Sequence, residues 1–180
     1  MPVRSDQSTG DALVATRGLA SVADELGFHR YWLAEHHNMP AIAATNPPLL
    51  VAMVAAATEQ IRVGSGGVML PNHAPLVVAE QFALLEAAYP GRIDLGIGRA
   101  PGTDQVTAWA LRHGGGGVED DAVARFPEAV ANIIAMLSPE GVGLRLASGT
   151  HVLRATPRAT SVPEVWLLGS SDYSAQLAAQ

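Results

Sequence analysis

An α/β fold built on a parallel sheet is the class this sequence predicts. Helical and strand-like patterns alternate along the first hundred residues, and the connections between them are short, which is the signature of right-handed βαβ units. The chain is also 48% hydrophobic but only 5% aromatic, with 18 Gly and many Ala. That composition suits close packing of helices on a sheet better than an all-β sandwich.

Taken in order, residues 1–10 are polar and patternless, so the chain is expected to open on a loop. Asp11 to Leu26 reads as a helix, because Leu19, Val22, Ala23 and Leu26 recur at i, i+3, i+4, i+7. Thr9 or Asp11 is the expected cap, and Gly27 stops it. A strand at 30–34 follows and runs into Glu35-His36-His37-Asn38. Asn46-Pro47-Pro48 then opens a second helix to about Thr58, with Asn46 as cap and proline in the first turn, where its missing N–H costs nothing. From Leu49 to Ala57 that helix is apolar on nearly every face, so it must be covered on more than one side. Part of it is expected to mark a dimer contact.

The next strand spans 61–69, with Ile61 and Val63 alternating before Gly64-Ser65-Gly66-Gly67. Glycines inside a strand suggest close approach of another backbone or of a flat ligand. A third helix is expected from Ala74-Pro75 to about Ala88, burying Val78, Ala79, Phe82 and Leu85, with Pro90-Gly91 as its stop. In the strand 92–98, Ile93, Leu95 and Ile97 share one face while Asp94, Gly96 and Gly98 share the other.

Regularity then lapses. Asp104 to Arg112 reads as a short helix, His113 to Gly117 as a joint, and Asp121 to Leu137 as a helix broken near Pro127. Residues 138–162 are rich in Gly, Ser, Thr and Pro and support at most a short strand at 151–155. Val165 to Leu168 is a clear strand, and a helix begins near Asp172. The whole is read as one domain, 1–180, in which 113–162 is an irregular insertion with one helix.

A net charge of −6 and only 11 Lys and Arg argue against nucleic acid or an anionic membrane as partner. The absence of Cys removes disulfides, thiolate nucleophiles and Cys-ligated metals. The first residues lack the apolar core of a signal peptide and the longest apolar run is too short for a bilayer, so a cytoplasmic protein is expected.

The chemistry is expected at the strand end around Glu35-His36-His37. Parity puts Glu35 and His37 on one face and His36 on the other. His29, His36, His37 and His73 make a poor set of metal ligands: His36 and His37 are adjacent, and no H-E-x-x-H pattern or Cys partner accompanies them. No metal is expected. Gly96-Ile97-Gly98-Arg99-Ala100-Pro101-Gly102 has the wrong spacing for a dinucleotide fingerprint, and no acid about 20 residues on stands at the end of a second strand. Arg99 at a strand end is better suited to gripping a phosphate. Gly169-Ser170-Ser171, between a strand and a helix, is a second anion-binding element.

Five ordered motifs, Tyr31 to Asn38, Val63 to Pro71, Ala79-Glu80-Gln81, Pro90 to Gly102 and Trp166 to Ser171, resemble those of the bacterial luciferase-like flavin monooxygenases. The resemblance is dense over residues 11–112 and returns at 163–180. It implies a (β/α)₈ TIM barrel holding reduced FMN at the C-terminal strand ends. The activity implied is oxygenation of a small organic substrate by O₂ through a C4a-peroxyflavin, with reduced flavin supplied by a separate reductase and the protein acting as a homodimer.

By this resemblance His36 matches the catalytic histidine and His37 its neighbour at the flavin. Gly66-Gly67 match a pair joined by a non-proline cis peptide under the isoalloxazine, with Glu35 and Ser65 beside it. Arg99, Ser170, Ser171 and Tyr173 match the contacts to the flavin phosphate. Three alternatives stand: hydride transfer by the deazaflavin coenzyme F420 on the same barrel, a flavin-binding or scaffold protein without turnover, or a truncated relic without function. A full barrel needs about 250 residues, and this chain has 180. The expectation is therefore a partial barrel of parallel strands at about 30–34, 61–69, 92–98 and 164–168, with the first strand and the last three missing.

Overall fold

In the computed structural model, which describes residues 1–100, 102–113, 121–170 and 172–179, four parallel strand positions follow one another in chain order with helices between them. Helix α1 (Thr9–Glu25) starts two residues earlier than expected. Ser8 is its cap, accepting from the Asp11 backbone N–H, while Asp11 bonds back to the Ser8 N–H, a reciprocal capping box. Gly27, at φ +74°, turns the chain into β1 (Arg30–Leu33). The Asp24 carboxylate then receives the backbone N–H groups of Glu59, Gln60 and Ile61, tying the end of α1 to the start of the next strand. Those amides, led by Glu59, hold its pKa below the usual value despite partial desolvation.

Helix α2 (Pro47–Ala55) carries the expected Asn46 cap on the Leu49 N–H but stops three residues short of Thr58. The expected strand 61–69 is split into β2 (Arg62–Ser65) and β3 (Val68–Met69), with a cis Gly66–Gly67 bond between them. A 3₁₀ turn, Leu70–Asn72, leads to α3 (Pro75–Ala88), and β4 (Ile93–Gly98) follows. Helix α4 (Gln105–His113) and helix α5 (Phe126–Leu137) come next. Pro127 does not break a helix but lies in the first turn of α5, where no backbone donor is lost.

The segment expected to be irregular is corrected more substantially. Residues 142–153 form an antiparallel hairpin, β5 (Val142–Leu146) and β6 (Gly149–Leu153), joined by a two-residue loop. Then come β7 (Glu164–Leu168) and α6 (Asp172–Ala178).

Pairing is parallel throughout the main sheet: β1 with β2, β2 and β3 with β4, and β4 with β7. Because side chains alternate across a strand, the register sorts residues into two faces. Leu33, Val63, Ile93, Leu95 and Ile97 are buried in the core cluster that also holds Val51, Val54, Ala79 and Phe82 from α2 and α3. The opposite face carries Arg30, Trp32, Arg62, Gly64, Asp94, Gly96, Glu164 and Trp166. This is a partial barrel, its outer face covered by helices and its inner face polar and aromatic. No helix among the described residues is long and apolar enough to cross a membrane.

On the inner face, glycine and tryptophan are complementary. A Cβ on Gly66 would lie 3.1 Å from the Trp32 Cβ, and one on Gly64 would lie 2.4 Å from the Asp94 carbonyl oxygen. Glycine at these positions lets Trp32 cross the sheet and meet Trp166 edge-on, with ring centroids 5.5 Å apart. Gly64 thus answers to the backbone of a neighbouring strand and Gly66 to a protein indole.

Candidate functional site

Parallel strands leave their C-terminal ends at one rim of the sheet, where loops gather the polar groups. At this rim β1 delivers Glu35, His36 and His37. Glu35 is fully buried. Its Oε1 lies 2.7 Å from His37 Nε2 and 2.8 Å from His73 Nε2, while its Oε2 accepts from the Met69 backbone N–H at 2.9 Å. Burial alone would raise the carboxyl pKa. The His73 and His37 hydrogen bonds, the charge of His73 and the Met69 amide together outweigh burial and hold it below the ordinary value.

The shared face of Glu35 and His37 is as parity required. His73 comes from outside the motif, in the turn between the 3₁₀ turn and α3, and the sequence reading had used it only in the rejected metal set. Glu35, His37 and His73 do bring ligand-capable atoms within 4.8 Å of one another. Their 2.7 and 2.8 Å separations are hydrogen-bond distances; ligand atoms around a tetrahedral zinc stand roughly 3.3 Å apart. His29 is exposed before the start of β1 and has no part in the cluster.

The loop after β4 closes over these groups. The Gly102 carbonyl accepts from the His37 N–H, and Thr103 Oγ1 donates to the His37 carbonyl at 2.9 Å. Gly102 has φ +67°, and a Cβ there would approach the Glu35 carbonyl oxygen to 2.9 Å, so glycine is required on two counts. The His36 backbone N–H donates to Ala44 O. His36 Nδ1 is buried and has no hydrogen-bond partner among the described residues.

The remaining candidates divide. Ser65 is buried with its hydroxyl donating to Gly96 O at 2.8 Å, so it holds adjacent strands together. Gly66 and Gly67 form the cis bond between β2 and β3 at the same rim. Arg99 follows β4, and its guanidinium lies 4.1 Å from the ring centroid of Tyr173 on α6. Gly98 pairs with Leu168, so Ser170, exposed just beyond β7, belongs to the same end of neighbouring strands. Ser171 lies outside the described residues. Arginine stacked on a ring through its face keeps its N–H edge for an anion.

The sequence reading left Asp94 unassigned. It is fully buried at the opposite rim, where Arg30 Nε and Trp32 Nε1 reach its Oδ2 at 2.9 Å each and Arg62 reaches its Oδ1 at 2.6 Å. Arg30 also pairs with Glu164 and stacks on Trp166.

Comparison with known proteins gives the family. The family model for luciferase-like monooxygenases matches residues 1–180. A luciferase-like monooxygenase of Escherichia coli strain K12 is 47% identical over 180 residues, covering 99% of this chain and 50% of the relative. The N-acetyl-S-alkylcysteine monooxygenase of Bacillus subtilis is 40% identical over 177 residues, covering 97% and 50%. The crystal structure of apo-MsnO8 superposes with a TM-score of 0.84 at 39% identity, covering 99% of this chain and 49% of that one.

Two solved structures share the fold at lower identity. One is the oxygenating constituent of 3,6-diketocamphane monooxygenase from Pseudomonas putida in complex with FMN (TM-score 0.73, 19% identity, 93% and 48% covered). The other is an F420-dependent secondary alcohol dehydrogenase (TM-score 0.70, 20% identity, 94% and 51% covered). The chain spans about half the length of the curated relatives it matches. With its whole length matched and its parallel strands ending in the Glu-His-His rim, the chain belongs to the luciferase-like monooxygenase family.

Proposed function

We propose that this chain carries the flavin-binding and proton-handling part of an FMN-dependent monooxygenase, which uses reduced flavin and O₂ to oxygenate a small organic substrate. The observation that carries the reading is the meeting at one sheet rim of a histidine–carboxylate cluster and, on the neighbouring strands, an arginine stacked on an aromatic ring. Family membership supports the same reading.

The residues fit a flavin in three respects. The buried, unpartnered His36 Nδ1 is a group able to hydrogen-bond a bound ligand. The side-chain-free Gly66–Gly67 turn suits the close approach of a flat ring system. Arg99, with Ser170 and Tyr173, suits a terminal phosphate, and Ser171 is assigned there by the family resemblance alone. Reduced flavin supplies the electrons for O₂ chemistry, and the protein's share is orientation, exclusion of water and proton transfer. In this reading His36 and His37 hold and move protons. Glu35 and Ser65 act from the second layer, since the oxygens of Glu35 and the hydroxyl of Ser65 are already engaged within the protein.

Two partners belong to the proposal: a separate reductase that supplies reduced flavin, and a second copy of the chain. Leu49 and Met53 of α2 are 60% and 46% exposed while the rest of that apolar helix is largely buried, which supports a dimer through this face. Sedimentation of a dilute sample as a monomer would remove the dimer. The named activity of the Bacillus subtilis relative makes thioether-bearing organic acids the first substrates to try.

Hydride transfer with F420 is the second reading, supported by the F420-dependent enzyme that shares the fold. One experiment addresses both. Reduced FMN and reduced F420 are titrated against the protein, and the tighter ligand is mixed with O₂ and substrate while products are analysed. FMN binding with an oxygenated product is expected. Preference for F420 without oxygen incorporation would overturn the monooxygenase reading.

A further inference from the structure

His73 is the one member of the Glu35 cluster contributed by neither the Glu-His-His motif nor the strand that bears it. Its position is particular: Nε2 meets Glu35 Oε1, and the residue also lines a cavity of about 530 Å³ bounded by Leu70, Pro75, Leu111, Arg125 and Asn132 among others. Its side chain is 30% exposed, against 14% for His37 and none for Glu35. The three groups thus form a line from an accessible cavity, through a buried carboxylate, to the histidine at the strand end.

The geometry points to His73 as the residue that exchanges protons between this cavity and His37 by way of Glu35. The inference rests on the reading of His36 and His37 as the proton-handling pair. Both imidazoles address the same carboxylate oxygen, at 2.7 and 2.8 Å, so a proton can pass without rotation of the carboxylate. The step begins with His73 protonated and with His37 having given up its Nε2 proton, so that its single remaining proton is on Nδ1. The Nε2–H bond of His73 breaks as an O–H bond forms on Glu35 Oε1. That O–H bond breaks in turn as Nε2 of His37 takes the proton, and the carboxylate is restored. No electrons are transferred, and His73, left with its proton on Nδ1, takes a proton from solvent on its bared Nε2 after the ring turns toward the cavity. The reverse sequence carries a proton outward. The Met69 N–H on Oε2 fixes the carboxylate meanwhile, so His73 acts on the site through Glu35 and is a positioning and relay residue.

A purely structural role for His73 predicts something different, because a glutamine could then replace it as donor to Glu35. The test uses the whole chain without flavin, with ring-¹⁵N-labelled histidine, and follows exchange of the His37 Nε2–H with water by NMR. His73→Gln, shown to be folded by its amide spectrum, should slow that exchange by roughly tenfold or more, in keeping with what one positioned acid–base group contributes. In His73→Ala, added imidazole should restore the rate by occupying the vacated space. An unchanged or faster rate in His73→Gln, or a slow rate in His73→Ala that imidazole leaves untouched, overturns the relay. Since no flavin is present, failure of this result is separate from failure of FMN binding, which bears on the proposed function alone.

Discussion

Asp94 and Glu35 are both fully buried carboxylates on the same sheet, and each accepts hydrogen bonds from three residues, yet their partners differ in kind. At the N-terminal rim Asp94 is held by two guanidinium groups and an indole N–H. At the C-terminal rim Glu35 is held by two imidazoles and a backbone amide. Guanidinium groups stay charged at every accessible pH, so the first cluster is electrostatically fixed. Imidazoles change charge near neutrality, so the second can gain and lose protons without dismantling the fold. The barrel thus separates a rim that holds the sheet together from a rim that can do chemistry.

The largest effect expected from breaking this contrast is at Asp94. Asp94→Ala leaves Arg30 and Arg62 facing each other with their common counterion gone, and removing one partner of a buried ion pair costs about 3 to 5 kcal/mol. Urea denaturation should record that loss. A change within about 0.5 kcal/mol, ordinary for a surface substitution, would mean that Glu164 and solvent replace Asp94 and that the rim is not the fixed part of the sheet.

Next in size is Arg99→Ala, which should weaken FMN binding by about 1.5 to 3 kcal/mol, the range for a charge-assisted hydrogen bond. Stability should hardly move, because the side chain is only half-buried and its recorded contact is the stack on Tyr173. Unchanged FMN affinity would take Arg99 out of the site. Gly67→Ala should do both things more weakly. Its Cβ would meet Leu168 Cδ1 at 2.6 Å and the Gly96 carbonyl oxygen at 2.9 Å, and the carbonyl cannot swing aside. Overpacking of this sort costs typically about 1 to 3 kcal/mol, and the displaced rim should lower FMN affinity as well. Loss of neither, in denaturation and titration together, would show that the two rims do not share this glycine.

How far this contrast could be read from the residues alone follows from its physics. The strands announced themselves by alternation, the helices by caps and apolar spacing, and the Glu35–His37 pair by parity within one strand; each of these is local. Asp94 gains its partners from the register of three neighbouring strands, and nothing near Asp94 encodes that register. His73 lies in a turn with no period, between Asn72 and Ala74, so only folding brings it to Glu35. The hairpin 142–153 escaped because its residues are mostly exposed and need no continuous apolar face. Leu144 and Leu146, with Ser148-Gly149 after them, were the faint signs of a strand and a turn. The glycines at 64 and 66 were read correctly as points of close approach, but their neighbours, Asp94 and Trp32, are distant in sequence.

The smallest expected effect is the pH-dependent part of the stability that Glu35 contributes, and it bears directly on the difference between the two rims. Its folded pKa is held below the ordinary value of 4.5, with the raising effect of burial outweighed by His73, His37 and the Met69 amide. A carboxyl group of lowered pKa stabilises the fold fully above its unfolded pKa, and that contribution is lost as pH falls through the folded value. Asp11, Asp24, Asp104 and Glu140 are lowered too and act in the same direction, so acid lability of the whole protein would not isolate Glu35. A difference experiment does. Glu35→Gln has no charge to lose at this site, so wild type should be the more stable of the two near neutrality, and the gap should narrow steadily as pH is lowered below about 4.5, the ordinary carboxylate range. Urea midpoints of the two proteins, measured at intervals from neutral pH into that range, read the gap directly. A gap that stayed constant throughout would mean that Glu35 is held by shape and not by charge, and the distinction between a fixed rim and a proton-exchanging one would fail on its most direct measure.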